Sequence, residues 1–556
     1  MNDRGSQLTT AEIVVASWIG ACAAAIAVPY AVARLGGPIH PRVILLLSIA
    51  AAFSVAVRLR RGRAKEDARD LLPFAAILGG VLAALLWLGW PALLPLGGGS
   101  DLTHHLQLVD FIERHWRLPQ GPDAERLIGG MVSYTPGVHL ISAMAGRWIG
   151  RDGLHAMYSV LSVSAAMKAA LVFLIARRLL PDDRLQLPSA AAAALILFLP
   201  FDYFAGSFVR ASFLAQAFAE MFAVAMWWAL VVWERSPSTH AAAIFAIAGI
   251  GVFLTWPVWI GPPVLAFVGA LALRRETAWM RHAALALVPI AAVAIAHTLG
   301  RASSAAIVQT GGSTFWPEVS RFSWPFLLLA AIGGAIAFGE RRLRVTWVLL
   351  GAIALQAIVL YVLATRSGSD TPYMALKMVH FAVYPMAVLA ALSIGAAFRW
   401  LMHAGSRTRV AGPVPVDASV AACWAVVFVL VAAIVRLAAA GPPQVPVITE
   451  DLFRAGAWAR AHVPTACVEY LVPQDASAYW LHHAVLGNPS YPPPGARMPA
   501  FSFRDAVVRW ITRTSVPFAI ADVHAIPREV REEIDERARF GQVIVGVRRG
   551  AQPACD

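Results

Sequence analysis

About thirteen apolar stretches recur between residues 11 and 440, and no other feature restricts the fold of this chain so strongly. Measured against the roughly 17–25 apolar residues that one crossing of a bilayer needs, they fall at 11–33, 42–57, 71–96, 156–176, 187–204, 212–233, 240–257, 258–273, 282–299, 323–339, 345–365, 375–398 and 419–440. The second and eighth are the shortest and could be re-entrant or merged with a neighbour. Inside hydrocarbon every backbone polar group must find its partner within the segment, so these stretches are predicted to be helices. The predicted class is a polytopic α-helical membrane protein. With 58% hydrophobic and 14% charged residues, the chain is not an ordinary soluble enzyme, in which about a quarter of the residues are charged.

The net charge of +13 would suit nucleic acid in a soluble protein. Here the arginines cluster between apolar stretches, and the positive-inside rule explains much of the excess, so no nucleic-acid partner is expected. One set of loops holds nineteen Lys and Arg residues, among them Arg58, Arg177, Arg178, Arg274, Arg341 and Arg399; the opposite set holds eleven. The richer set is assigned to the cytoplasm, which places the N-terminus inside and, with an odd number of spans, the C-terminus outside. The short polar start, Met1–Thr10, runs straight into a long span and does not resemble a cleavable signal peptide.

A polar island interrupts the chain after the third stretch: Gly99-Ser100-Asp101-Leu102-Thr103-His104-His105. Ionisable groups at the mouth of a membrane helix are functional candidates by default. Beyond it, Leu102, Leu106, Val109, Ile112 and Trp116 have the spacing of an amphipathic helix lying on the membrane interface. Pro119 and Gly121-Pro122 should stop it, and Pro136 should open a further helix over 137–149. The whole segment 97–155 is expected outside the membrane, as are 300–322 and 366–374. Asp110 and Glu113 are expected on a solvated face. Trp256, Trp259, Trp316 and Trp324 are expected in an aromatic belt. Lys168, deep within 156–176, should face the bundle interior, since lipid exposure would cost roughly 2.5–3.5 kcal/mol.

After Gly441-Pro442-Pro443 the long apolar runs end and charge density rises. Helices are predicted at 450–462, 475–486, 503–514 and 527–537, and strands at 467–472, 516–521 and 541–548. That alternation predicts a small α/β domain, 441–556, outside the membrane. The rest divides into a two-helix extension, 1–70, and a membrane module, 71–440. Cys22 and Cys423 lie in apolar runs; Cys467 and Cys555 could pair if the tail sits in an oxidising compartment.

The run from Gly99 to Gly150 resembles the first external loop of the GT-C superfamily of polyprenyl-phosphate-dependent membrane glycosyltransferases. In that family an Asp follows a membrane helix, then an interfacial helix, a proline turn and a Tyr-x-Pro-x-x-His entry to the next helix. The corresponding pieces are Asp101, Thr103–Trp116, Arg117-Leu118-Pro119 and Tyr134-Thr135-Pro136-Gly137-Val138-His139. Pro372-Tyr373-Met374-Ala375-Leu376-Lys377 resembles a Tyr-Tyr-x-x-Lys element at the start of a late span. Asp101-Leu102-Thr103-His104-His105 departs from the Asp-Asp or Asp-Glu pair of several subfamilies.

The resemblance implies transfer of a sugar from a polyprenyl-phosphate donor to an acceptor hydroxyl of a glycan, lipid or protein on the external face of a bacterial cytoplasmic membrane. Asp101 is the candidate general base, with helix capping as the competing role. A single base implies inversion at the anomeric carbon, since retention through a covalent intermediate needs a second carboxylate. Lys377 and Arg210 are the candidate cations for the donor phosphate. Arg301, Arg321 and Arg366 are weaker candidates. His104, His105, Tyr134 and His139 are candidates for the acceptor groove. No metal site is predicted; a divalent cation is possible without being required. The competing classes are a transporter or flippase of lipid-linked saccharides, which should show internal repeats and polar midplane residues, and a polymerase of such saccharides.

Overall fold

The computed structural model describes the chain apart from residues 1–7, 61–69, 98–99, 275–277, 300–313, 370, 408–415, 441–445, 492–499, 513–515 and 551–556; the side chains of 100–101, 402–407 and 416–417 are also outside the description. Ten of its helices are long and apolar enough to cross a membrane: Thr10–Arg34, Pro41–Arg60, Leu71–Gly89, Gly153–Leu179, Leu214–Arg235, Pro257–Arg274, Trp279–Thr298, Arg341–Arg366, Tyr373–Leu401 and Ala418–Ala439. Three shorter apolar helices, Gln186–Phe198, Thr239–Thr255 and Trp324–Ala337, complete the pattern. Each coincides with one of the thirteen apolar stretches. The chain is a polytopic helical membrane protein.

Ion pairs sort the helix ends into two faces. Arg178 forks onto Glu12, Arg177 reaches Asp70 at 2.8 Å, Arg399 reaches Asp183 at 3.0 Å, and Arg344 pairs with Glu234. All of these groups belong to one end of the bundle, the end that holds the arginine-rich loops. Glu12 also closes a capping box with Thr9, whose N–H donates to the Glu12 carboxylate at 2.8 Å. Exposed donors at a helix start are satisfied in this way.

The opposite face carries the loop that follows Gly89. The predicted interfacial helix forms as Ser100–His115, and Leu102, Leu106, Val109 and Ile112 are fully buried along one stripe. A short helix, Gly121–Ile128, follows the Pro119 stop, and the second predicted helix forms as Gly137–Ile149, with Pro136 at its N-cap.

The tail folds into strands β1 (Val468–Leu471), β2 (Phe518–Asp522), β3 (Ile534–Phe540) and β4 (Val543–Arg548) in the order β1-β2-β4-β3. β1 and β2 run parallel, and β4 is antiparallel to both β2 and β3. The helix predicted over 527–537 is overturned in its second half: only Arg528–Glu532 is helical, and 534–540 is a strand. The charged run Asp535-Glu536-Arg537 has helix-forming composition, yet Phe540 pairs with Val543 across Gly541-Gln542, with Gly541 at φ 56°. A two-residue hairpin turn needs that left-handed conformation, and glycine adopts it without steric penalty. The charges then protect an exposed sheet edge.

Candidate active site

The loop entering the interfacial helix is drawn against the segment 210–213. Gly97 has φ 94°, and a Cβ there would lie 2.5 Å from Ser212 Oγ and 3.1 Å from the Arg210 carbonyl oxygen. Only glycine permits this approach. The helix that carries Asp101 starts at Ser100, three residues beyond the point where the backbone meets Arg210–Ser212. The Asp101 side chain lies outside the described residues.

Phe213 continues this contact. Its ring lies under the ammonium of Lys377, which also sits 4.8 Å from the ring centroid of Tyr373. Lys377 is fully buried, in the first turns of the helix Tyr373–Arg407. A lysine enclosed by aromatic faces keeps its charge desolvated and attracted to the ring quadrupoles. Gly97, Arg210, Phe213 and Lys377 are thus gathered into one patch.

Arg210 is not isolated. It donates to Asp202 Oδ1 at 2.7 Å, and Arg321 donates to Asp202 Oδ2 at 3.2 Å. The two guanidiniums lie over Phe201 at 4.9 Å and over Phe315 at 4.4 Å. Arg321 also pairs with Glu318 at 3.8 Å, so two guanidiniums and two carboxylates meet here. Arg321 thereby joins the patch by a contact that no local spacing could reveal, since it comes from 119 residues away in sequence. Arg366 is exposed at the end of its helix, and Arg301 falls outside the described residues.

The four acceptor candidates separate. His105 Nδ1 and His139 Nε2 are 2.8 Å apart, and their rings stack with centroids at 5.1 Å. Tyr134 meets both edge-on, at 5.3 and 5.7 Å. Burial, and then the neighbouring His105, hold the His139 imidazole well below its ordinary range, so it is neutral and one ring nitrogen must accept while the other donates. His104 points elsewhere, as adjacent helical positions must, about 100° apart. It lies 3.3 Å from Gln107 Oε1, toward the tail.

Two expectations are corrected on this face. Asp110 and Glu113 do not form a solvated face. Asp110 is gripped by Arg460 of the tail at 2.9 and 3.0 Å, and Glu113 accepts the Gly153 backbone N–H at 2.9 Å. Trp256 and Trp259 do not lie in an aromatic belt either. Both are buried, because the helix ending at Thr255 breaks into the short turn Pro257–Ile260 and folds them inward. Trp316 and Trp324 are exposed. Cys467 is disulfide-bonded, and Cys555 lies outside the described residues.

The tail closes over the interfacial helix. Ser490 exchanges hydrogen bonds with Gln107, and the backbone N–H groups of Ser490 and Tyr491 donate to the carbonyls of Leu127 and Arg126 at 3.0 Å. Among the described residues, no group of three or more His, Cys, Asp or Glu is placed to hold a metal ion.

An apolar groove of about 880 Å³ opens between the spans Leu71–Gly89 and Ala418–Ala439 and the helix Gln186–Leu195. Its walls include Ile77, Val81, Trp87, Leu195, Trp424 and Val431. The volume sits in the upper part of the range for ligand cavities, about 300–1,000 Å³. Trp87 stands in the last turn of its span and Leu195 at the end of its helix.

No family model matches the chain, and no curated protein is similar to it in sequence. Solved structures do share its fold. ArnT from Cupriavidus metallidurans bound to undecaprenyl phosphate superposes with a TM-score of 0.51 at 12% identity, over 86% of this chain and 98% of that one. The apo form of the Archaeoglobus fulgidus oligosaccharyltransferase superposes with a TM-score of 0.51 at 13% identity, over 82% of this chain and 70% of that one.

Proposed function

We propose that this chain, whose fold is that of the GT-C membrane glycosyltransferases, transfers a sugar from a polyprenyl-phosphate donor to an acceptor hydroxyl. The observation that carries this reading is the approach of Gly97 to Arg210 and Ser212 beside Phe213 and Lys377. We take Asp101 to work beside these two cations, with the prenyl tail of the donor in the apolar groove. ArnT, which shares the fold, is solved with undecaprenyl phosphate bound.

In this reading the tail of the donor lies in the groove and its phosphate meets Lys377 and Arg210. Fixed cations beside the phosphate stabilise the negative charge that grows as the anomeric C–O bond breaks. The acceptor oxygen forms the new bond to the anomeric carbon. Its proton passes to the Asp101 carboxylate, and the lipid phosphate departs with the bonding electrons. One base and direct displacement invert the anomeric centre. His105, His139 and Tyr134 line the acceptor side, with His104 at its edge toward the tail. No metal is assigned a role. The arginine-rich face is assigned to the cytoplasm of a bacterial inner membrane, so the site and the tail face outward.

The test is Asp101→Asn in the purified full-length protein. Undecaprenyl phosphate should still bind, while the outer-face glycans of a deletion strain complemented with this variant should match those of the deletion strain. A variant that restores the wild-type glycan profile removes Asp101 as the base. A deletion strain with unchanged glycans removes the transferase reading altogether.

A further inference from the structure

Lys168 has a partner that the sequence could not name. Its ammonium donates to Glu220 Oε2 at 2.7 Å, the Tyr384 hydroxyl donates to the same oxygen at 2.6 Å, and Gln216 donates to Glu220 Oε1 at 3.1 Å. Lys168, Glu220 and Tyr384 are all fully buried. They come from three different spans, Gly153–Leu179, Leu214–Arg235 and Tyr373–Leu401. The ammonium also lies 5.5 Å from the Phe204 ring centroid and 5.6 Å from that of Tyr384.

Such a group is costly inside a membrane bundle and is a functional candidate by default. A buried ion pair is weak evidence for stability as such, and its best-attested use is to fix registry between packed helices. The registry here is specific. Glu220 lies seven residues beyond Phe213, and Tyr384 lies seven residues beyond Lys377. Phe213 is the N-cap of the helix Leu214–Arg235, so the Phe213–Lys377 contact at its start and the Glu220–Tyr384 hydrogen bond join the same two elements, about two turns or 10 Å apart. A slip of one residue between these helices would turn Lys377 by about 100° around its axis and take the ammonium off the Phe213 ring.

We infer that Glu220, held by Lys168 and Tyr384, is a positioning residue that sets the place of Lys377 in the phosphate subsite. This inference rests on the assignment of Lys377 to the donor phosphate. The lock acts on the phosphate end of the donor only, because none of its members lines the apolar groove.

The experiment compares undecaprenyl phosphate with undecaprenol as probes of the full-length protein in detergent. Lys377→Met should weaken binding of the phosphate and leave undecaprenol binding unchanged. Tyr384→Phe keeps the ring and removes only the hydroxyl. It should weaken phosphate binding about fivefold, the scale of one displaced hydrogen bond, and leave undecaprenol binding unchanged. In the Lys377→Met background Tyr384→Phe should have no further effect. Glu220→Gln should behave as Tyr384→Phe does. Equal losses for both probes would mean a merely structural role and overturn the inference, as would additive effects of Tyr384→Phe and Lys377→Met. If Lys377→Met leaves phosphate binding intact, the Lys377 assignment fails, and this inference fails with it. If Lys377→Met weakens binding but Tyr384→Phe and Glu220→Gln do not, only the lock fails.

Discussion

Arg460 holds both carboxylate oxygens of Asp110, at 2.9 and 3.0 Å, across 350 residues of chain. Asp110 sits in the interfacial helix that carries the candidate base, so this fork ties the tail to that helix. Arg114 contacts the same carboxylate at 3.1 Å from the neighbouring turn.

Arg460→Met should loosen the tail. The loss should be about 2 kcal/mol, the scale of hydrogen bonds to a charged group, with Arg114 still neutralising Asp110. Hydrogen exchange over 100–128 should rise selectively, while the span Leu214–Arg235 remains protected. Unchanged exchange in the interfacial helix would show that the fork contributes nothing.

Gly97→Ala should weaken undecaprenyl phosphate binding, because the new Cβ meets Ser212 Oγ and the Arg210 carbonyl. Gly36→Ala is the control. Gly36 has φ 83° and nothing within 4 Å of the added carbon, so it carries only the backbone penalty, about 1–2 kcal/mol. Equal binding by the two variants would mean that the close approach has no bearing on the phosphate subsite.

Arg210→Ala should weaken binding of the same lipid phosphate about tenfold, as expected for one charge-assisted contact. Arg321 keeps Asp202 neutralised in that variant. The double variant Arg210→Ala/Arg321→Ala leaves the Asp202 carboxylate facing the phosphate uncompensated, and the combined loss should exceed the product of the single losses. Multiplicative losses, measured by titration with undecaprenyl phosphate, would mean that the two arginines act independently.

Acid should open the tail locally. Burial pushes the His482 imidazole down to about 3 and the His483 imidazole down to about 4. The Nδ1 of His482 accepts from the Tyr470 hydroxyl at 2.9 Å and from Asn488 at 3.1 Å, so a proton there would oppose two donors. Both values are depressed below the ordinary one of about 6.5, so their contribution is whole above pH 6.5 and is lost as the pH falls toward 4. The difference reaches about 4 kcal/mol by pH 5 for two imidazoles at 1.36 kcal/mol per pH unit each. Hydrogen exchange over 475–488, corrected for intrinsic rates, should report this opening. An opening free energy independent of pH between 7 and 5 would contradict it.

Periodicity made much of this architecture legible. Leu102, Leu106, Val109 and Ile112 announced a helix with one buried stripe, and Pro136 announced the helix that begins at Gly137. Pattern failed where long-range geometry decides. Asp535-Glu536-Arg537 has a helical composition, and only the Gly541 turn, which brings β4 alongside, makes it a strand. The partners of Lys168, Asp110 and Arg210 were illegible for a related reason. Glu220 and Arg460 lie 52 and 350 residues away from the groups they bind. Asp202 is only eight residues from Arg210, but its second guanidinium comes from Arg321. Adjacent histidines were legible only in their divergence, and the turning of His105 toward His139 depends on how two helices pack.

The fork between Glu12 and Arg178 bears on how the protein can be shortened. Glu12 also accepts from Trp228 at 3.2 Å, so the first helix supplies one acceptor to two later spans. A version begun after residue 40 would withdraw that anion from the Arg178 guanidinium and that acceptor from the Trp228 indole. Replacing Arg178 with an uncharged residue is the compensation such a truncation calls for.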